Sequence, residues 1–251
     1  MDVLFIGSSH AYNSFDPGIF ENYGLKSYNW GTNQQTHIQT EMVLREYLKI
    51  FSPKLVVYEV FPEMFALEGR ESMTDFLNSG EPFQLGLKEI FEYDNSIIFF
   101  NTYLIKYSRE LIGLRPKPKR KVEIKDYYKG YVSKEGENKY YKDSIDIKWI
   151  PRQQQIEAFE RNIAFLKRNN INYVLVISPF PFQYNNSQDY INYLNSRGEL
   201  LDYNKILEFD AEKEFSDYHH INIKGAKKIN THLAPVLRKK IDELPIDELA
   251  K

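Results

Sequence analysis

The chain has no cysteine. That excludes disulfides, thiolate catalysis and cysteine-ligated metals, and it leaves the redox compartment open, because a cysteine-free protein works on either side of a membrane. Charge of one sign is not in excess. With 33 Lys and Arg against 35 Asp and Glu, the formal charge is −2, so no global field draws the chain to nucleic acid. No stretch reads as a signal peptide or a membrane span, no glycine-rich phosphate loop is present, and no internal repeat occurs. The five histidines, at positions 10, 37, 219, 220 and 232, lack ligand spacing, so neither a metal cluster nor a cofactor is expected.

What is present suits a globular protein. At 251 residues the chain is most economically one domain, 1–251, large enough to carry an insertion. Aromatic residues are abundant, with 19 Tyr and 17 Phe. They fit a Phe- and Tyr-rich core, and equally a surface that offers Tyr platforms to a sugar or an apolar ligand. The first strand begins by residue 3 with no lead-in, whereas chains usually start with a few frayed residues. An N-terminal extension, such as an anchor, is therefore expected in the native protein. With it comes an extracytoplasmic, membrane-anchored location and association with a membrane or cell envelope. If Met1 is the true start, the expectation is cytoplasmic.

Five apolar runs read as strands: VLFIG (3–7), KSYNW (26–30), KLVVYEV (54–60), NYVLVIS (172–178) and ILEFD (206–210). The first, third and fourth are nearly continuous in apolar residues, as in parallel strands covered on both faces. Helical patterns alternate with them at 40–51, 152–169 and 223–241, the last interrupted or ended near Pro235. Alternating strands and helices predict an α/β fold, a three-layer α/β/α sandwich. Residues 61–149 break the rhythm. A helix is expected over 94–114, and 115–149 carries 11 Lys and Arg against 6 Asp and Glu with five tyrosines. Residues 80–149 are read as an insertion packed over one edge of the sheet. Its charges either solvate a loop or form a lid, or a contact surface for an anionic polymer or membrane.

The chemistry lies at the two ends. VLFIGSSH (3–10) is a buried strand that ends in a Gly-Ser-Ser-His turn, and FSDYHHIN (215–222) sets Asp217 three residues before His220. In open α/β sheets ligands bind beyond the carboxyl ends of the strands, at the point where strand order reverses, and Ser9 sits at such an end. A serine nucleophile needs a base, and that base needs an acceptor that fixes its tautomer. His220 and Asp217 can supply both from one loop. Ser8 and Ser9 also fit as helix caps, and His219 and His220 as polar residues at a loop–helix junction. Asn222 reads as the cap of the final helix, with Gly225 allowing close packing against the sheet. The order and separation of the two motifs favour a site.

FIGSSH, NWG and DYHH resemble the sequence blocks of the SGNH, or GDSL-like, hydrolase superfamily, from residue 3 to about 230 with the insertion excluded. The resemblance implies a flavodoxin-like parallel sheet of about five strands in the order 2-1-3-4-5, with the insertion after strand 3. It implies Ser9 as nucleophile, with Asp217 and His220 completing a triad, and Ser9 and Gly31 as backbone oxyanion donors. The third block departs from the pattern. Where the family has Gly-x-Asn-Asp, this chain has YEVFPEMF (58–65), with Glu59 at or beside the place of the donor Asn; a carboxylate cannot donate unless protonated. Asn33 and Gln35 are the candidate substitutes. His10, Gln35, Glu59 and His219 are candidates to line the pocket, Ser178-Pro179-Phe180-Pro181 to shape its wall, and Arg45 and Glu59 to form an ion pair. The implied activity is hydrolysis of a small acyl ester, an O-acetyl group on a carbohydrate. A GSSH-type first block with an unusual third block also resembles the branch that acylates cell-envelope polysaccharides, which includes alginate O-acetyltransferase-like and teichoic-acid D-alanylation proteins. Acyl transfer onto such a polymer is thus an alternative, as is a catalytically weak binding or assembly protein.

Overall fold

The computed structural model describes residues 1–69, 127–138, 148–182 and 185–245, together with Leu104, Ile105, Ser108 and Ile112. In chain order the elements are β1 (Val3–Gly7), α1 (Ser9–Ser14), α2 (Pro17–Glu21), β2 (Ser27–Gly31), α3 (His37–Phe51) and β3 (Leu55–Glu59). After a 3₁₀ turn at Pro62–Phe65 come β4 (Tyr127–Tyr128), β5 (Tyr131–Val132), α4 (Gln153–Arg168), β6 (Asn172–Ile177), α5 (Ser187–Asn195), β7 (Leu200–Asp202), α6 (Tyr203–Ile206) and α7 (Ile223–Asp242).

One sheet has the order β2-β1-β3-β6-β7 with every pair parallel. Counted among the sheet strands alone, that is 2-1-3-4-5. Side chains alternate between its faces, as strand geometry requires. Leu4, Ile6, Val56, Tyr58, Leu175 and Ile177 pack on α3, α4 and α5 through Val43, Leu44, Phe159, Ile163 and Leu194. Val3, Phe5, Leu55, Val57, Val174 and Val176 pack on α1, α2 and α7 through Ala11, Phe20, Ile229, Leu233 and Leu237. The result is a three-layer α/β/α sandwich with two cores, one on each side of the sheet. Each fully buried aliphatic or aromatic side chain contributes about 1.5–3 kcal/mol.

Several elements differ from the sequence reading. The fifth sheet strand is Leu200–Asp202, not 206–210. Asp202 caps α6 by accepting from the Asn204 amide at 3.1 Å, so the chain is already helical when it reaches the apolar run at Ile206. Leu207 and Phe209 then pack on the α7-side core without pairing in the sheet. Helix α3 starts three residues earlier than expected, after a capping box between Thr36 and Gln39. Helix α7 runs through Pro235. Pro235 lies on the exposed face, so the carbonyl that loses its partner meets water, while Leu233, Ala234, Leu237 and Ile241 keep the other face buried. Gly225 makes its closest approach to Ile221 and the Glu214 carbonyl; a Cβ there would lie 2.4 Å from Ile221 Cγ1.

Of the expected insertion, the described residues include a hairpin, β4–β5. Lys129 and Gly130, both at positive φ, form its two-residue turn, the backbone pattern that suits tight hairpins. The hairpin covers the free edge of β2: the Asn29 amide donates to the Lys129 carbonyl at 2.9 Å, and Tyr128 and Lys129 bind Glu21. The expected helix over 94–114 lies outside the described residues except at the four isolated positions. Among the described residues no helix is long and apolar enough to cross a membrane.

Candidate active site

Strand order reverses at β1, and in open α/β sheets ligands bind beyond the carboxyl ends of the strands at such a point, here those of β1 and β3. The turn after β1 is held by an acid from β3. Gly7 has φ +146°, and a Cβ there would sit 2.6 Å from Glu59 Oε2; only glycine combines that backbone with that approach. Glu59 Oε2 accepts from the Ser8 amide and the Ser8 hydroxyl, both at 2.9 Å. Ser8 Oγ in turn accepts from the His10 amide at 3.2 Å and caps α1. Of the two serines that could serve as caps, Ser8 is the cap. Ser9, in the first turn of the helix, points away to the opposite loop.

That loop comes from the other end of the chain. A bridge between Phe215 and Ile221 closes it, and Asn222 caps α7 by accepting from the Lys224 and Gly225 amides. Within it, His220 Nε2 lies 2.8 Å from Ser9 Oγ, and His220 Nδ1 lies 2.9 Å from Asp217 Oδ2. Asp217 Oδ1 also accepts from the His219 and His220 amides at 3.0 and 2.7 Å. Desolvation pushes the Asp217 carboxyl up, but the His220 ring and these two amides outweigh it and hold it well below the usual carboxylate range. An ionised Asp217 favours a proton on Nδ1, which leaves the Nε2 lone pair to accept from Ser9 Oγ.

The other predicted residues divide. His10 is buried, stacks on Phe61 with ring centres 3.7 Å apart, and brings its Nε2 to 3.3 Å from His219 Nδ1. Burial holds His10 well below its ordinary value and lowers His219 to about 4. Both rings are neutral at pH 7. Phe180 meets Phe61 edge-on, with centres 5.4 Å apart, and Tyr218 stacks on His219 while 56% exposed.

The Gly31 amide is not free to serve as an oxyanion donor: it donates to Asn29 Oδ1 at 3.0 Å. Gly31 instead permits close packing, since a Cβ there would lie 2.8 Å from the Ser8 carbonyl. Gln35 is occupied at both ends, accepting from Thr32 Oγ1 at 2.9 Å and donating to Thr40 Oγ1 at 2.8 Å. Asn33 is exposed. Arg45 pairs with Glu41, not Glu59. Glu59 is fully buried, and desolvation raises its carboxyl to about 7 against the opposing Ser8 and Phe61 hydrogen bonds. Spacing gave no hint of a histidine cluster, yet His10, His219 and His220 converge from the two ends of the chain.

Two residues escaped the sequence reading. Lys134, in the segment after the hairpin, places Nζ 3.1 Å from Asp217 Oδ2 and 3.0 Å from His220 Nδ1. Asn29, in β2, donates to the Ala11 and Phe15 carbonyls at 2.8 Å each, tying β2 to α1. Nothing in the basic run singles out Lys134, whereas a buried asparagine inside an apolar strand was a signal for Asn29.

A model of an uncharacterised family matches residues 131–242. No curated protein matches the chain. Among solved structures it is similar to a candidate acylhydrolase from Bacteroides fragilis NCTC 9343, at 13% identity and a TM-score of 0.46, covering 96% of this chain and 88% of the other. It is also similar to a GDSL-like lipase from Bacteroides thetaiotaomicron VPI-5482, at 14% identity and a TM-score of 0.33, covering 95% and 88%.

Proposed function

We propose that this chain is a serine esterase of the SGNH type, acting on a small acyl ester. The observation that carries the reading is the continuous hydrogen-bonded line from Ser9 Oγ through His220 to Asp217, at 2.8 and 2.9 Å. Ser9 Oγ attacks the ester carbonyl and its proton passes to His220 Nε2. Asp217 accepts from Nδ1 and stabilises the imidazolium. The tetrahedral oxyanion takes a hydrogen bond from the Ser9 amide. His220 returns the proton to the leaving alcohol, and water, deprotonated by His220, releases the acyl group and restores Ser9. When a sugar hydroxyl replaces water, the same steps give acyl transfer. An O-acetylated carbohydrate fits the exposed Tyr218 ring beside His219 as a stacking platform.

The test is p-nitrophenyl acetate hydrolysis by wild type and Ser9→Ala. Wild type no faster than Ser9→Ala would rule out hydrolysis of such esters. A second reading, a binding or assembly protein with weak catalysis, draws support from the engaged Gly31 amide and Gln35 side chain, because loss of one oxyanion donor typically costs about 10²–10³-fold in rate. Ser9 that fails to react with a fluorophosphonate would favour that reading.

A further inference from the structure

Beside the nucleophile, His10 from α1 meets His219 and His220 from the opposite loop, and one ring nitrogen from each lies within 4.8 Å of the others. His10 Nε2 and His219 Nδ1 are 3.3 Å apart. Two nitrogens on one tetrahedral zinc ion, each bound at about 2.0–2.1 Å, are separated by about 3.3–3.4 Å, so this pair already has the spacing of two zinc ligands. Between neutral rings the same spacing is a hydrogen bond that uses one proton, and a metal ion would take that proton's place.

The surroundings match a zinc site. Histidine ligands characteristically donate their second nitrogen to a carboxylate. Asp217 Oδ2 lies 2.9 Å from His220 Nδ1, and Oδ1 lies 3.9 Å from His219 Nε2. Phe61, stacked on His10, fixes the first ring. Lys134, 3.1 Å from Asp217, is the one nearby charge among these contacts that opposes a cation.

We propose that His10 Nε2, His219 Nδ1 and His220 Nε2 form an inhibitory Zn²⁺ site, with the fourth position open to Ser9 Oγ or water. Binding draws only on the histidines. The inhibition rests on the reading of Ser9 and His220 above: a metal on His220 Nε2 occupies the lone pair that must accept the Ser9 proton.

The test uses tag-free protein, stripped with chelator and titrated with Zn²⁺ by calorimetry, with Co²⁺ absorption reporting tetrahedral coordination. Wild type should bind one equivalent. His10→Gln and His219→Gln should each weaken binding at least ~10-fold, and Lys134→Met should tighten it. Circular dichroism confirms that each variant folds; His219, on a loop, covers the case in which His10→Gln does not. In parallel, Zn²⁺ should slow fluorophosphonate labelling of Ser9 and chelator should restore it. No binding to wild type, or binding indifferent to both histidine variants, overturns the site. Binding that leaves labelling unchanged overturns the sharing of His220. Absence of labelling even with chelator removes the serine reading instead, and calorimetry still decides the site.

Discussion

Lys134 sits closer to the base than any sequence motif suggested. Its ammonium is 3.0 Å from His220 Nδ1, where the proposed mechanism forms an imidazolium. Asp217 keeps three other donors, the His219 amide, the His220 amide and the His220 ring, so it stays oriented without Lys134. The electrostatic cost should therefore win over the positioning gain. Lys134→Met is predicted to raise kcat/KM several-fold at low salt, and the difference should shrink at 0.5 M salt, because the ammonium is partly exposed and screened. A loss of activity that is independent of salt would show that Lys134 mainly positions Asp217. Tyr218 carries a separate prediction. If it stacks on sugar, Tyr218→Ala should raise KM for an acetylated glycan while leaving p-nitrophenyl acetate turnover little changed; equal effects on both substrates would argue against a carbohydrate platform.

The β4–β5 hairpin and the segment after it connect the β2 edge to the loop that carries Asp217 and His220. Lys134 accepts from the Ile223 amide through its carbonyl at 2.8 Å, and Asn222 donates to the Gly136 carbonyl at 2.8 Å. Gly130 is the pivot of this attachment: φ is +88°, and a Cβ would lie 1.7 Å from the Asn29 carbonyl. Gly130→Ala should detach the hairpin, lower Tm by at least ~2–4 °C and expose 127–138 to protease; an unchanged melting curve would contradict that role. The same segment shows where sequence legibility stops. The strands β1, β3 and β6 were readable because both faces are buried, which makes the runs apolar throughout. β7 was not, because three half-buried residues carry no period, whereas the apolar 206–210 run next to it packs as helix end and loop. The Ser9, Asp217 and His220 positions were readable because spacing within each motif is short and local. Lys134 reaches Asp217 across 83 residues, and the engagement of Gly31 depends on an Asn29 rotamer; neither leaves a local pattern.

For the molecule as a whole, Glu59 makes stability depend on pH. Its carboxyl is buried where β1 and β3 end and is raised to about 7. Below its ordinary value, near 4.5, folded and unfolded chains both hold the proton. Between there and about 7 only the folded chain holds it, so stability falls as pH rises, and above that it levels off. The loss is on the order of 3 kcal/mol. Thermal melts should show Tm falling by several degrees across that window, and Glu59→Gln should flatten this part of the profile; an identical slope in the variant would locate the dependence elsewhere. The central claim is that two ends of the chain, joined by a parallel sheet, build one serine site. Its most direct test is mass-spectrometric mapping of fluorophosphonate labelling in wild type and in His220→Ala. The prediction is a single adduct on Ser9 that forms in wild type and is slowed at least ~10³-fold without His220. No adduct, or one on another residue at a rate indifferent to His220, would contradict the account.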